Sequence, residues 1–305
     1  MALVPRSGSA GTGYRSITGP LLLPTWAMIG IFLLLPVLLM TVYSFLTKEF
    51  RGGVDWTFSL AAYDQFLLSR GLFGDEPPVL EWTYITIFWR SIWQAGLATL
   101  ICLIVGFPTA WFIATRPPHS RALWLFMITV PYWVNLLIRT VSLRFLLRDQ
   151  GPLNDALIGT GLLDSPLQII NTNLAVQLGL FYSYLPFMVL PIYAAVERYN
   201  FALSEAAADL YASRWTTLRE IVLPVVRPGI IAGCILVFVP SLGAFLAPDL
   251  LGGAKTYMIG SLIEEQFKGS QGNWPFGAAV SVILMTLVLI VLLFYARAQG
   301  RAEAQ

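Results

Sequence analysis

The sequence predicts an all-α integral membrane protein with six transmembrane helices. Of its 305 residues, 57% are hydrophobic and only 12% are charged, whereas a soluble globular domain carries about 25% charged residues. The mean hydropathy is +0.70. Six apolar runs are long enough to cross a bilayer, since a helical span needs about 20 mostly apolar residues. These observations exclude a soluble globular domain.

The six predicted spans form one transmembrane domain, residues 19–297, between an N-terminal tail, 1–18, and a C-terminal tail, 298–305. Within the first tail, residues 3–9 resemble a protease-site and linker sequence left by cloning, and we exclude them from fold reasoning. The spans cover residues 21–46, 84–114, 123–147, 174–196, 230–246 and 276–295.

The fifth span is the most interrupted of the six. Pro240, Gly243 and Pro248 fall in or beside it. Such breaks are tolerated in membrane helices where the freed backbone groups face protein or water.

The basic residues predict that both termini lie in the cytoplasm. The flanks on the side of the termini hold ten arginines and five acids, whereas the opposite flanks hold seven lysines or arginines and twelve acids. Cytoplasmic loops carry the excess of Lys and Arg. The loop between the fourth and fifth spans is therefore also predicted to be cytoplasmic.

The chain lacks the residues that several classes of function would require. The net charge of +2 argues against a nucleic-acid partner. Cys102 and Cys234 lie in apolar runs and suit small buried side chains better than a disulfide or a metal site. The lone His119 cannot form a metal cluster, and residues 252–256 lack the spacing of a phosphate-binding loop. We therefore predict no catalytic residue, no metal ligand and no cofactor bound by this chain.

The loop between the fourth and fifth spans has the pattern of two short helices. Ser204 is a favoured N-cap, Glu205 suits the first turn, and the alanines that follow favour a helix on which Asp209 shares the face of Glu205. Ser213 opens the second pattern. The prolines at 224 and 228 are predicted to delimit the entry to the fifth span.

The spacing in this loop resembles the EAA loop of binding-protein-dependent ABC importer permeases. That pattern is EAA-x3-G-x9-I-x-LP, and Glu205-Ala206-Ala207, Ile221 and Leu223-Pro224 match it. Tyr211 departs from it, because the family has a glycine there, which adopts positive φ easily. Tyr211 predicts either a turn with ordinary angles or a strained turn that costs about 1 kcal/mol.

The resemblance implies a type I importer permease with a cytoplasmic coupling helix between spans four and five, in a bacterial inner membrane. It implies that the chain lies in the lipid bilayer and has three protein partners. They are an ABC ATPase dimer that holds ATP and Mg²⁺, a second homologous permease that makes a heterodimer, and a periplasmic solute-binding protein. The residues it assigns to ATPase coupling are Glu205, Ala206, Ala207, Asp209, Tyr211, Ser213, Arg214, Leu223 and Pro224.

Three further blocks look like those of spermidine/putrescine-type permeases. They begin at Pro131, Tyr184 and Val239. The resemblance implies a polyamine as solute, although an opine, an amino-acid-like solute or another small organic solute of the branch fits nearly as well. The spans hold no core carboxylate that would attract a polyamine, and their charges are instead Arg90, nearer the outer end of the second span, and Arg139.

The translocation path is predicted from the charge of Arg139 and from the aromatic residues of the spans. For Arg139 the alternative is a structural pair with a backbone carbonyl or a carboxylate, and for the aromatic residues it is packing or an interfacial belt. The predicted path residues are Arg139, Trp133, Tyr132, Tyr182, Tyr184 and Phe245.

Two other classes of function fit less well, because the spans lack core acids and the lone His119 and scattered acids form no catalytic constellation. A cation-coupled secondary transporter predicts intramembrane acids or broken helices in matching repeats, and a membrane enzyme needs a catalytic constellation near the interface. The segments 48–81 and 249–274 are predicted to face outward, where they could receive a binding protein. The first of these is expected to form short helices.

Overall fold

The computed structural model describes residues 14–49, 53–69, 79–268 and 272–303, and most of them are helical. The helices are α1 Tyr14–Ile29, α2 Leu35–Tyr43, α3 Ala61–Leu67, α4 Trp82–Ala114, α5 Pro118–Thr129, α6 Leu136–Leu147, α7 Pro152–Gly159, α8 Asn173–Glu197, α9 Ala202–Asp209, α10 Arg214–Thr217, α11 Leu223–Leu242, α12 Ile259–Phe267 and α13 Trp274–Glu303. The strands are β1 Leu46–Lys48, β2 Val54–Phe58, β3 Leu68–Ser69 and β4 Val79–Leu80. The predicted linker at residues 3–9 lies outside the described residues.

The chain forms two compact units, and the first combines Met1–Phe66 with Gln266–Gln305. In it α2 packs against α13, and β1 pairs antiparallel with β2. The ring of Phe45 stacks on Phe58 with centroids 5.6 Å apart. This hairpin replaces part of the predicted short helices, because the β-branched and aromatic residues in β2 favour an extended strand. The predicted division into two tails and one transmembrane domain stays a prediction.

The second unit, Leu67–Glu265, has α4, α8 and α11 as its core. The centre is an apolar cluster that includes Cys102, Ile113, Met188, Ile192 and Val226, all fully buried. Small residues let these helices approach closely in membrane proteins.

Within the described part of the chain, five helical segments are long and apolar enough to cross a membrane, and a bent helix pair brings the number to as many as six. Four of them agree with the predicted spans 21–46, 84–114, 174–196 and 276–295 to within a few residues. They are Leu22–Tyr43, Trp82–Ala114, Asn173–Glu197 and Trp274–Arg297.

The predicted third span, residues 123–147, is broken rather than straight. Pro118–Trp133 and Leu136–Gly159 meet at an angle of 92°. Pro131 has no N–H to donate to the helix ladder. The side chain of Asn135 then caps the next helix by accepting a hydrogen bond from the Leu137 N–H at 2.8 Å. A hydropathy profile detects the apolar residues of both halves but not the stop and restart between them.

The fifth span is longer than predicted and is continuous with the loop before it. It runs over Arg214–Leu242 instead of 230–246. The expectation that Pro224 and Pro228 delimit its entry was wrong, because both lie within α11. A π turn, Leu218–Val222, precedes them, and the Leu223 N–H bonds back to the carbonyl of Leu218. Pro224 then needs no partner for its nitrogen.

Candidate functional site

The short helix α9 begins earlier than predicted. Its first residue is Ala202, whose N–H donates to the side chain of Asn200 at 3.1 Å. Ser204 lies inside the helix, and its hydroxyl pairs with that of Tyr199 at 2.6 Å. The prediction that Ser204 caps the helix was wrong, because Asn200 already turns the chain ahead of it.

The two acids of α9 are both exposed, as a docking surface requires. Glu205 falls in the first turn, where the positive end of the helix dipole favours an acid. Asp209 follows four residues later on the same face. Ala207 is only 6% exposed, whereas Ala206 is exposed. The helix therefore packs through one alanine and presents carboxylates and a small side chain outward.

An aromatic cluster holds the start of α9 against the C-terminal end of α4. The Trp111 ring lies 6.1 Å from the Tyr199 ring and 5.6 Å from the Phe201 ring. Tyr199 and Phe201 meet edge to face at 5.3 Å. Since aromatic pairs add stabilisation beyond their buried area, this cluster ties α9 to the second span.

A polar contact joins the start of α5 to the end of α8. Arg121 lies 3.6 Å from the Glu197 carboxylate, which also accepts a hydrogen bond from the Tyr193 hydroxyl at 2.7 Å. Arg121 also donates through Nε to the carbonyl of Arg116 at 2.7 Å. A partly exposed ion pair contributes little to stability, roughly 0–1 kcal/mol. Its role here is to position the two helix ends.

Tyr211 ends α9 in the left-handed conformation. Its φ is 61°, and its N–H donates to the carbonyl of Ala208 at 2.9 Å while the Ala212 N–H donates to that of Ala207 at 3.0 Å. This pair of bonds is the Schellman motif, in which the left-handed position is usually glycine. Of the two turns predicted for Tyr211, the strained one is therefore present, at about 1 kcal/mol.

The second half of the loop is rigidly joined to the fifth span. Ser213 caps α10 by accepting a hydrogen bond from the Thr216 N–H at 3.1 Å, as the sequence predicts for a helix start there. Arg214 and Trp215 follow and are exposed. Leu218 and Val222 pack into the apolar core of the second unit. A displacement of α10 would therefore pass directly into α11.

An apolar cavity of about 680 Å³ separates the loop from α4. The cavity prevents α9 from packing against α4 along its whole length. The contact between the two helices is therefore made by the aromatic cluster at the start of α9. The lining residues include Phe107, Trp111, Phe112, Ala208, Ala212 and Leu218.

Arg139 is buried at the break in the third span. It is 4% exposed, and its guanidinium donates to the carbonyls of Tyr132 at 2.9 Å and Val134 at 2.8 Å. Its Nε is buried without a hydrogen-bond partner among the described residues. Of the two predicted roles for Arg139, the geometry favours the structural pair with backbone carbonyls.

Three of the other predicted path residues lie near this charge. The guanidinium carbon of Arg139 is 5.0 Å from the ring centroid of Tyr132 and 5.9 Å from that of Tyr182. Tyr132 also meets Phe187 edge to face at 4.9 Å, and Phe187 lies 6.3 Å from Tyr184. The faces of two tyrosines are therefore already turned toward a cation.

The other two predicted path residues have different surroundings. Trp133 packs edge to face on Phe126 at 5.9 Å and is 76% exposed. Phe245 follows the end of α11, and its carbonyl accepts the N–H of Asp249 at 3.0 Å. The structure thus groups four of the six predicted residues and places these two in other contacts.

A cluster of amide side chains between α4 and α8, in which Gln94 and Gln177 are buried, was not predicted from the sequence. The side chain of Gln94 donates to Asn173 at 2.9 Å, and that of Gln177 donates to the carbonyl of Gln94 at 3.0 Å. Amide side chains within long apolar runs are the signal that could have found it. Such bonds join membrane helices, at about 0.6–2 kcal/mol each.

Comparison with known proteins agrees with this geometry. Residues 83–301 match the family described as binding-protein-dependent transport system inner membrane component. The chain is 40% identical over 267 residues to the spermidine/putrescine transport system permease protein PotB of Haemophilus influenzae, covering 88% of each chain. It is 41% identical over 268 residues to PotB of Escherichia coli, covering 88% of this chain and 92% of the relative.

A solved structure gives the fold independently. A bacterial ABC transporter involved in the import of the acidic polysaccharide alginate has a chain that superposes with a TM-score of 0.68 at 19% identity, with 94% of this chain and 96% of that chain covered. The predicted fold class, the resemblance and the role as a transport subunit rather than an enzyme are confirmed by these matches. The chain belongs to the family of binding-protein-dependent transport system inner membrane components, and it is a multi-pass permease subunit of the ABC importer kind.

Proposed function

We propose that this permease moves a polyamine across the inner membrane as half of a translocation pathway powered by ATP hydrolysis on a partner. The observation that carries the proposal is the loop of residues 198–224. It presents an acidic helix outward, while an aromatic cluster ties one end to α4 and a continuous helix joins the other to α11. Force on α9 would therefore reach two spans at once.

The loop is the proposed docking site of an ABC ATPase subunit. The exposed carboxylates of Glu205 and Asp209 would pair with basic residues of that subunit. The small exposed Ala206 allows a close approach, and Ser213 and Arg214 lie at the start of the second helix. ATP and Mg²⁺ belong to the ATPase. Leu223 and Pro224 connect the docking site to the fifth span.

A second permease subunit is proposed to complete the pathway, and both termini are proposed to lie in the cytoplasm. The span Leu22–Tyr43 has no buried residue in its apolar window, so much of its surface is available to lipid or to another helix. The arginine-rich flanks support the orientation. A periplasmic binding protein would deliver the solute from the opposite side. The two permeases are expected to be different but related chains.

The proposed solute is a polyamine such as spermidine or putrescine. The two relatives described above carry that activity in their names. The faces of Tyr132 and Tyr182 turn toward the Arg139 guanidinium, and we take this as support for a path through this span that favours cations. An opine or an amino-acid-like solute is the alternative, favoured by the positive charge of Arg139 itself.

The experiment is reconstitution of the permease pair with its ATPase in nanodiscs. We expect binding protein loaded with spermidine or putrescine to stimulate ATP hydrolysis, and opines and amino acids to give no stimulation. If only an opine stimulated ATP hydrolysis, the solute would be an opine and not a polyamine. Solute uptake that needs no ATP in proteoliposomes would instead identify a secondary transporter.

Charge reversal tests the docking role. Glu205→Lys places a like charge against the basic partner surface, so we expect it to abolish ATPase binding while the permease still assembles. Asp164→Lys, at an exposed acid outside the loop, is the matched control and should bind the ATPase normally. Equal binding by the Glu205 variant and the wild type would contradict the docking role.

A further inference from the structure

The most exposed apolar side chains of the coupling loop occur together just after α9. Leu210 is 82% exposed, Tyr211 98% and Trp215 68%. We call residues 210–215 the apex. A loop that faced only water would not favour three large apolar side chains within six residues. The apex therefore has the composition of a contact surface.

The backbone of the apex makes Tyr211 an unfavourable choice for folding alone. The left-handed φ of 61° and the two Schellman hydrogen bonds suit glycine, which has no Cβ to strain. The ring buries almost nothing in return, because it is 98% exposed. A residue that strains the turn and makes no compensating contact within the described part of the chain is explained by a contact outside it.

We propose that Tyr211, flanked by Leu210 and Trp215, is an aromatic anchor that inserts into an apolar pocket of the ATPase subunit and makes this permease selective for that subunit. The inference rests on the proposed function and deepens it. Buried aromatic residues dominate the binding energy of protein interfaces. A pocket fitted to glycine-containing loops would not accept the ring, so the anchor also excludes other ATPases.

The charges around the apex distinguish the ATPase from a lipid surface as its occupant. Glu205 and Asp209 are exposed on the helix that leads into the apex, and Arg214 is exposed within the apex. The inner leaflet is negatively charged and would repel the two acids, whereas a protein surface can pair with charges of both signs. A protein surface with an apolar pocket and a basic rim complements both features. The pocket expected on the ATPase is therefore apolar at its centre and rimmed by Lys or Arg.

The test compares Tyr211→Gly, Tyr211→Ala and Tyr211→Phe in the complete permease pair in nanodiscs. The affinity of the immobilised permease pair for the purified ATPase is measured, together with the thermal stability of the pair. We expect Tyr211→Phe to bind like the wild type, because it keeps the ring. Tyr211→Gly and Tyr211→Ala should bind at least about tenfold more weakly, although the glycine variant should be as stable as the wild type or more stable.

Trp82→Ala, at an aromatic residue that is 67% exposed at the other end of α4, is the matched control and should bind normally. Wild-type affinity in the glycine variant overturns the anchor, as does a parallel fall in its thermal stability. If the wild-type pair binds no ATPase, the proposed function itself is wrong. If the wild type and the glycine variant bind equally, only the anchor is wrong.

Discussion

Arg139 shows how one side chain can stabilise a broken membrane helix. The chain stops being helical around Val134, so carbonyls there lose their partners in the ladder. In hydrocarbon an unsatisfied backbone group costs several kcal/mol. The guanidinium supplies two donors to the carbonyls of Tyr132 and Val134, and the faces of Tyr132 and Tyr182 lie beside its charge.

Arg139→Ala is therefore expected to destabilise the permease by about 1–3 kcal/mol, since it leaves buried acceptors without donors. Thermal unfolding of the purified pair and solute uptake should fall together. Arg139→Lys should restore part of both losses, because an ammonium can still donate to a carbonyl.

Arg144→Ala is the matched control for this residue. Arg144 lies on the same helix but is exposed, so its loss should leave the unfolding temperature unchanged. Uptake that falls in Arg139→Ala at unchanged stability would contradict the structural role and favour a contact with the solute.

At the scale of elements, α8 is the central helix of the second unit and contacts both α4 and α11. On α11, Gly229 lies at this contact. A Cβ added there would lie 2.5 Å from the Cβ of Ala195 and 2.7 Å from the carbonyl oxygen of Pro191. Both neighbours belong to α8, and neither atom is the far end of a flexible side chain. The close crossing of α8 and α11 therefore depends on glycine at position 229, because the methyl group of an alanine would not fit.

Gly229→Ala is expected to lower the stability of the permease, because overpacking costs about 1–3 kcal/mol and exceeds the roughly 1 kcal/mol that alanine gains in helix propensity. Gly96→Ala is the matched control, since nothing lies within 4 Å of a Cβ added at Gly96. We expect thermal unfolding in detergent to separate the two variants. A Gly229 variant as stable as the Gly96 variant would contradict the close packing.

At the scale of the whole molecule, the large exposed apolar surface defines the environment. Large side chains such as Phe32, Trp93 and Leu293 are more than half exposed, which in water would promote aggregation. In a bilayer the same surface faces lipid or a partner span. The orientation of the chain in that bilayer then depends on the charges at the span ends.

Cysteine labelling can check the orientation. In a background with Cys102 and Cys234 replaced, Arg198→Cys lies beside the coupling loop and Asp164→Cys lies on the opposite predicted side. A membrane-impermeant maleimide added to spheroplasts should label position 164 at once and position 198 only after permeabilisation. The reverse pattern would show that the termini face the periplasm.

Much of the fold could be predicted from hydropathy, because a span is a local property of about 20 consecutive residues. The spans around Trp82–Ala114 and Asn173–Glu197 agree with the prediction to within a few residues. The break near Asn135 and the continuity across Pro224 could not be predicted this way. Each depends on where single backbone groups find partners, and average hydropathy does not contain that information.

The coupling loop was recognisable from its spacing, whereas its supports were not. Glu205, the alanines and Asp209 identify the helix, and Tyr211 was already expected to be the point of difference. The cluster of Trp111 with Tyr199 joins residues far apart in the chain. A sequence pattern carries no distance between such residues.

The sequence by itself determined the class of the protein, its approximate spans, its family and the position of its coupling loop, since composition, local hydropathy and motif spacing are properties of neighbouring residues. Only the tertiary structure decided that Arg139 holds a broken span together and that Tyr211 is strained. It also joined the loop to α4 and α11. These depend on the partners that each polar group and ring finds once the helices pack.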